Sequence, residues 1–283
     1  MEEHSDPATE IAKLCRWWAS REQANAAGST YAVLMSELKL EGDAQFFKLI
    51  AVTQDRFNEF ESLVVNCTDR HFRDELRNRA LKGSGNLRGF FSPKSMARNW
   101  SQTSQLLRDE VSLTAVEAAS IAFSRSHPEV IPTADDLEEI AFFIDKVTEE
   151  KIKDLNLPII FERALRLGLV ELEFASRFPD VYGPSRLVDR IFSLYETHES
   201  ISKNWKPYRS GDVFRNVKSV LAVAFRLVVQ SAVLINAIDT HVELFNSIST
   251  NLGDVLQITD QSESESSKNE EAGSDDFPPT TSV

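Results

Sequence analysis

The feature that most constrains this chain is the run from Asp212 to Ile248, which contains neither glycine nor proline. From Ser219 to Ile238 it is apolar on nearly every side, so it either spans a membrane or forms the spine of a helical body. At about 100° per residue, Asp212, Arg215, Ser219, Arg226, Gln230 and Thr240 fall on one narrow seam. An arginine at the centre of a bilayer costs at least about 2.5 kcal/mol. The seam also continues beyond the apolar run at both ends, which a membrane boundary does not require. The run therefore predicts a buried core helix in which Arg226 needs a carboxylate or carbonyl partner, and no membrane association is expected.

A chain of 283 residues can bury a substantial core, and 18 phenylalanines against only 10 glycines and 10 prolines indicate a folded, mostly helical protein. The fold class expected is all-α: a multihelical bundle around the long 212–248 helix. A short β-wing is expected near 169–174, and a disordered acidic tail follows. Composition and loops divide the chain into an N-terminal helical part (1–126), a C-terminal helical part (127–252) and the tail (253–283). From Asp254 onward, eight acidic residues face Lys268 alone, so the tail carries −7 of the formal −13. Its serine-rich, apolar-poor sequence cannot offset the entropy of ordering.

Helix punctuation is clear. Asp6-Pro7 starts a helix with Ile11, Leu14, Cys15 and Trp18 on one face. Ser29 caps a second, and Asp43 opens a third with Phe46, Ile50, Phe57, Phe60 and Val64 inward. Thr68 or Asp69 starts a helix that should stop at Gly83, leaving a Gly83–Gly89 loop before Ser92-Pro93 begins the next. Thr133 caps an acidic-fronted helix, and Thr148 or Glu149 opens a short one. Pro158 begins a helix ending at Gly168. Phe178-Pro179 to Gly183-Pro184 reads as a loop, and Ser185 starts a helix running to about Asn204. The remaining loops lie at 127–132 and 207–211.

Two cysteines, Cys15 and Cys67, are too few for a disulfide framework, and the acidic N-terminus MEEHSDPATE is no secretory signal. A cytoplasmic location is the expectation. No phosphate-binding loop, dinucleotide fingerprint, nucleophile elbow or zinc-protease motif occurs. The histidines His4, His71, His127, His198 and His241 are scattered. No catalytic residue, metal ligand or cofactor site is predicted.

Two stretches suggest binding. From Arg70 to Arg98, eight cations (Arg70, Arg73, Arg77, Arg79, Lys82, Arg88, Lys94 and Arg98) stand against Asp74 and Glu75. With a glycine loop and Phe72, Phe90, Phe91 and Trp100 exposed, they could hold a phosphate backbone. The alternative is that they pair with the acidic faces of 133–154 or with the tail. Within this stretch Arg77 to Gly83 resembles the R-N-x-x-x-H-G segment of the HEPN helical ribonucleases. Lys82 stands where that family has its histidine, so the resemblance implies a catalytically inactive relative. Segment 133–174, with Gly168-Leu169-Val170 before LVELEF, resembles a winged helix-turn-helix. That resemblance implies Arg163 and Arg166 facing DNA, with Phe161, Ala164 and Leu165 inward. Finally, Thr281-Ser282-Val283 fits a C-terminal carboxylate-binding motif of the PDZ type.

The function expected is a non-catalytic α-helical adaptor or regulatory subunit acting through protein partners or self-association. The alternative is a nucleic-acid binder using Arg70–Arg98 with Arg163 and Arg166.

Overall fold

The computed structural model describes residues 4–21, 28–70, 72–123, 129–130, 133–147 and 149–230. Contacts within the chain cluster into two units, 1–234 and 235–283. The second unit lies outside the described residues, as do the 231–248 part of the spine, Thr240, the acidic tail and the PDZ-type terminus. The side chain of Arg226 is outside them too.

Unit 1 is helical, as expected. Helix α1 (Pro7–Ala19) begins where Asp6 accepts hydrogen bonds from the Ala8 and Thr9 amides. This caps two of the amides that a helix start leaves unpaired. Its apolar face buries Ile11, Leu14, Cys15 and Trp18. Helix α2 (Thr30–Glu37) is capped by Ser29, and α3 (Asp43–Asn66) buries Phe46, Phe57, Phe60 and Val64. The buried Trp18 indole nitrogen donates to Thr53 Oγ1 at 3.3 Å, which removes an otherwise costly unpaired donor.

Helix α4 runs Asp74–Arg88, straight through the expected stop. Glycine lowers helix propensity by only about 1 kcal/mol, and Gly83 is held in place by packing. A β-carbon there would lie 2.7 Å from the Ser112 carbonyl oxygen, so glycine lets two helices approach closely. A 3-10 turn (Gly89–Phe91) leads to α5 (Pro93–Met96), which Ser92 caps. Then come α6 (Trp100–Leu107), α7 (Glu110–Glu117) and α8 (Ser120–Phe123). The aromatics expected on the surface are interior instead: Phe72, Phe90, Phe91 and Trp100 are all buried. Phe90, Phe91 and Trp100 join Trp18 and Phe57 in one group of ring contacts, while Phe72 packs on Phe123.

Two residues, β1 (His4–Ser5), pair antiparallel with β2 (Glu129–Val130). Helix α9 (Ala134–Asp145) starts with a capping box between Thr133 and Asp136, and α10 (Glu149–Asp154) follows. Helix α11 spans Ile159–Arg177 without interruption. The segment LVELEF is thus helical, and the expected wing at 169–174 does not form. Its residues have helical periodicity, with Leu169, Leu172 and Phe174 buried while Val170 and Glu173 are exposed. Gly168 does not stop the helix. It faces Leu194, which would sit 3.0 Å from a β-carbon.

Helix α12 (Pro179–Asn204) also replaces an expected loop, with one break at Gly183 (φ 74°, ψ 163°). Pro184 cannot donate into a continuous helix, and Gly183 supplies the left-handed backbone that turns the chain between two helical pieces. A 3-10 segment (Lys206–Ser210) leads into α13 (Asp212–Gln230). The start of α13 is one-sided: Val213, Val217, Val220 and Leu221 are buried, and the seam residues Asp212 and Arg215 pair on the exposed side. It packs against α9 and α12, while α1 packs against α3 and α12. No described helix is long and apolar enough to cross a membrane.

Candidate interaction groove

A groove lies beside the close approach that Gly83 allows between α4 and α7. Helix α4 packs on α7 with Gly83 against Ser112 and Ala115, and α4 buries Ala80, Ser84 and Leu87 while α7 buries Ser112, Leu113 and Val116. Above that contact the helices diverge around a groove of about 660 Å³. One wall carries Leu76, Arg79 and Lys82 from α4, and the other carries Val111 and Ala115 from α7. Val111 is 79% exposed although it is a branched aliphatic residue. One end is tied by hydrogen bonds: Asn86 donates to Ser112 Oγ at 3.2 Å, and Ser112 donates to Asp109 at 2.5 Å. The result is an apolar floor with cations along one rim and Glu110 on the other.

The other basic residues are dispersed. Arg77 turns inward, pairing with Asp74 at 2.6 Å and donating to the carbonyls of Val64 and Cys67, where it helps close the end of α3. Arg79 pairs with Glu75 at 2.5 Å. Arg88 reaches Glu61 at 3.2 Å and Gln54 at 2.5 Å. Arg70, Arg73, Lys82, Lys94 and Arg98 are exposed. The ion pairs of Arg77, Arg79 and Arg88 thus use carboxylates of α4 and α3, and the acidic tail, the other expected partner, lies outside the described residues. The aromatics that would stack on bases are buried. Arg166 is engaged by Glu162 at 2.9 Å, and exposed Arg163 stands among apolar neighbours on α11. The groove brings together only Arg79 and Lys82 of the ten cations read from the sequence.

A second crevice, of about 410 Å³, lies between α1, α3 and α12. Its base is a buried ion pair in which Arg56 Nη2 lies 3.3 Å from Glu10 Oε2. Arg56 also donates to the carbonyls of Asp180 at 2.7 Å and Val181 at 3.2 Å. Arg186 lies across the crevice, 2.5 Å from Glu59. This arrangement satisfies charges and carbonyls in the interior, and it ties three helices together. Sequence reasoning missed it, although a signal existed: Arg56 shares the apolar stripe of Thr53, Phe57 and Phe60 on α3.

Cys15 and His198 are both buried in settings that hold them uncharged at neutral pH. Burial pushes the Cys15 thiol up to about 12, so it carries almost no thiolate at neutral pH. Burial holds His198 down at about 4, with Lys218 adding to the effect. His198 Nδ1 sits 2.8 Å from the Tyr208 hydroxyl. Burial raises the Tyr208 phenol above its ordinary range, so the phenol keeps its proton, and it shares with the imidazole a hydrogen bond whose direction the tautomer sets. Among the described residues no cluster of three or more His, Cys, Asp or Glu side chains is placed to hold a metal ion.

Comparison with protein-family models, curated proteins and solved structures finds no match. The short Arg77–Gly83 resemblance to HEPN ribonucleases gains no support from a family model, and its residues lie within a helix packed on α7. Only this chain's own geometry bears on function.

Proposed function

We propose that the protein is a non-catalytic binding subunit that holds a partner protein through its helical surface, with the α4–α7 groove as the docking site. The partner element is an amphipathic helix with an acidic edge. Its apolar face would cover Val111 and Ala115, and its carboxylates would meet Arg79 and Lys82. The observation that carries this reading is Val111, 79% exposed at the mouth of an apolar groove whose facing rim is cationic. Apolar grooves with a charged rim are a standard means of seating helices.

A test is to compare the proteins retained by the intact chain and by a Lys82→Glu, Val111→Glu double variant. A partner held stoichiometrically by the first and lost by the second supports the groove. Equal retention by both contradicts it.

Exposure of Arg70, Arg73, Lys82, Lys94 and Arg98 favours a second reading, in which the basic stretch holds nucleic acid. Burial of Phe72, Phe90, Phe91 and Trp100 weighs against it, because these four rings are not available to stack on bases. Binding to labelled single- and double-stranded nucleic acid that falls steeply with salt would favour this reading over the first.

A further inference from the structure

The outer face of α11 carries a surface distinct from the groove. Residues exposed along this helix recur at helical spacing: Ile160, Arg163, Leu167, Val170 and Glu173. The aliphatic members are not marginal cases, since Ile160 is 71% exposed, Leu167 62% and Val170 54%. Isolated exposed aliphatics are ordinary, but a stripe of them along three turns of one helix marks a contact surface. Among the described residues neither Arg163 nor Glu173 forms an ion pair, unlike Arg166 and Glu162 on the same helix.

The order of these residues decides what fits. Arg163 and Glu173 stand at equal distances on either side of position 168, with Leu167 and Val170 between them. A second α11 packed antiparallel about a two-fold axis at that position would set each Arg163 opposite the other copy's Glu173. Contacts across a two-fold axis are self-complementary in this sense: residue i meets j, and j meets i. Leu167 and Val170 of both copies would interleave at the centre, where water is excluded. A shallow crossing of about 20° keeps two such helices in contact over the roughly 15 Å that separates the charged positions. We infer that the outer face of α11 is a homodimer interface, an antiparallel helix pair closed by two symmetric Arg163–Glu173 ion pairs.

A single helix pair buries less than the roughly 1,200–2,000 Å² of a standard interface, so the dimer should dissociate in the micromolar range. Sedimentation velocity of the full chain across concentration tests this. Because the pairs are symmetric, Arg163→Glu alone or Glu173→Arg alone places two like-charge contacts in the interface. Each should weaken association about tenfold or more. The combined Arg163→Glu, Glu173→Arg exchange restores both pairs and should recover dimerisation. A Leu167→Gln variant should weaken it without altering charge. Both charged positions are exposed, and circular dichroism with thermal melting verifies that each variant is folded. A wild-type chain that stays monomeric to about 10⁻⁴ M would overturn the inference. So would a charge exchange no better than the single reversals, or a dimer indifferent to all of these changes.

Discussion

Gly183 and Arg56 are in direct apposition: a β-carbon on Gly183 would lie 2.9 Å from both Cζ and Nη2 of the guanidinium. Gly183 also has φ 74°, so any side chain there meets backbone strain and a buried cation at once. The turn delivers the carbonyls of Asp180 and Val181 to Arg56, and Arg56 in turn reaches Glu10 on α1. Gly183→Ala should cost about 2–4 kcal/mol in urea denaturation. A change within about 0.5 kcal/mol would show that the guanidinium is not held where it stands.

The same junction predicts a non-additive pair. Arg56→Met leaves the buried Glu10 carboxylate with only the half-exposed Lys13, 3.4 Å away, and Glu10→Gln leaves the arginine without its countercharge. Removing one partner of a buried ion pair costs about 3–5 kcal/mol. Glu10→Gln combined with Arg56→Met should cost clearly less than the sum of the two. Additivity would mean that the two side chains do not interact in solution.

Glycines on α4 should respond with opposite signs. Gly83→Ala drives a β-carbon toward the Ser112 carbonyl at 2.7 Å, and overpacking of that kind costs about 1–3 kcal/mol. Gly85, on the same helix, has open space around it, so Gly85→Ala should stabilise by about 0.5–1 kcal/mol through helix propensity. Thermal melting of the two variants side by side measures this directly. Equal effects would argue against the tight α4–α7 contact.

His198 predicts an acid-sensitive component of stability. A free histidine titrates near 6.5, and the buried one is held at about 4. Folded protein therefore binds fewer protons than unfolded protein between those values. The contribution is fully present above about pH 6.5 and is lost as pH falls toward 4, amounting to about 3 kcal/mol. Its surroundings fit: the ring is buried, stacks on Phe214 at 4.8 Å and shares a hydrogen bond with the Tyr208 hydroxyl, a setting whose burial disfavours the charged imidazolium. His198→Gln should be less stable at pH 7.5 and should lose less on acidification to pH 4.5 than wild type. Parallel urea midpoints for the two proteins would contradict the assignment.

Thiol chemistry should separate the two cysteines. Cys15 is buried, and its thiol is held up at about 12, while Cys67 is only half-buried. A chromogenic disulfide reagent should titrate one thiol in the native protein and two in denaturant. Rapid reaction of both would show that α1 opens readily.

How much of this was legible beforehand depends on which residues carried it. Caps declare themselves locally, so Asp6, Ser29, Ser92 and Thr133 each marked a helix start that the structure contains. Glycine misled the reading because its role is set by the neighbour it meets. Gly83 and Gly168 looked like stops, yet they are contact points with Ser112 and Leu194 inside continuous helices. Only Gly183 breaks its helix, and Pro184 beside it supplies the reason. The aromatics near the basic stretch looked exposed because charge surrounds them in sequence, but Phe72 before α4, Phe90 and Phe91 in the 3-10 turn and Trp100 at the start of α6 all pack into the interior. The groove was half visible: Lys82 and Arg79 were singled out, whereas Val111 became informative only when its exposure was known. The Glu10–Arg56 pair joins residues 46 positions apart, and no local pattern connects them.

The central claim is that the α4–α7 groove seats a partner helix. The most direct measurement is site-specific photo-cross-linking in cells, with the reactive side chain placed at position 111 and, as a control, at exposed Ala44 on α3. The groove predicts a discrete adduct from position 111 that Lys82→Glu abolishes and that position 44 does not yield. No adduct at 111, or the same adducts from both positions, would contradict it.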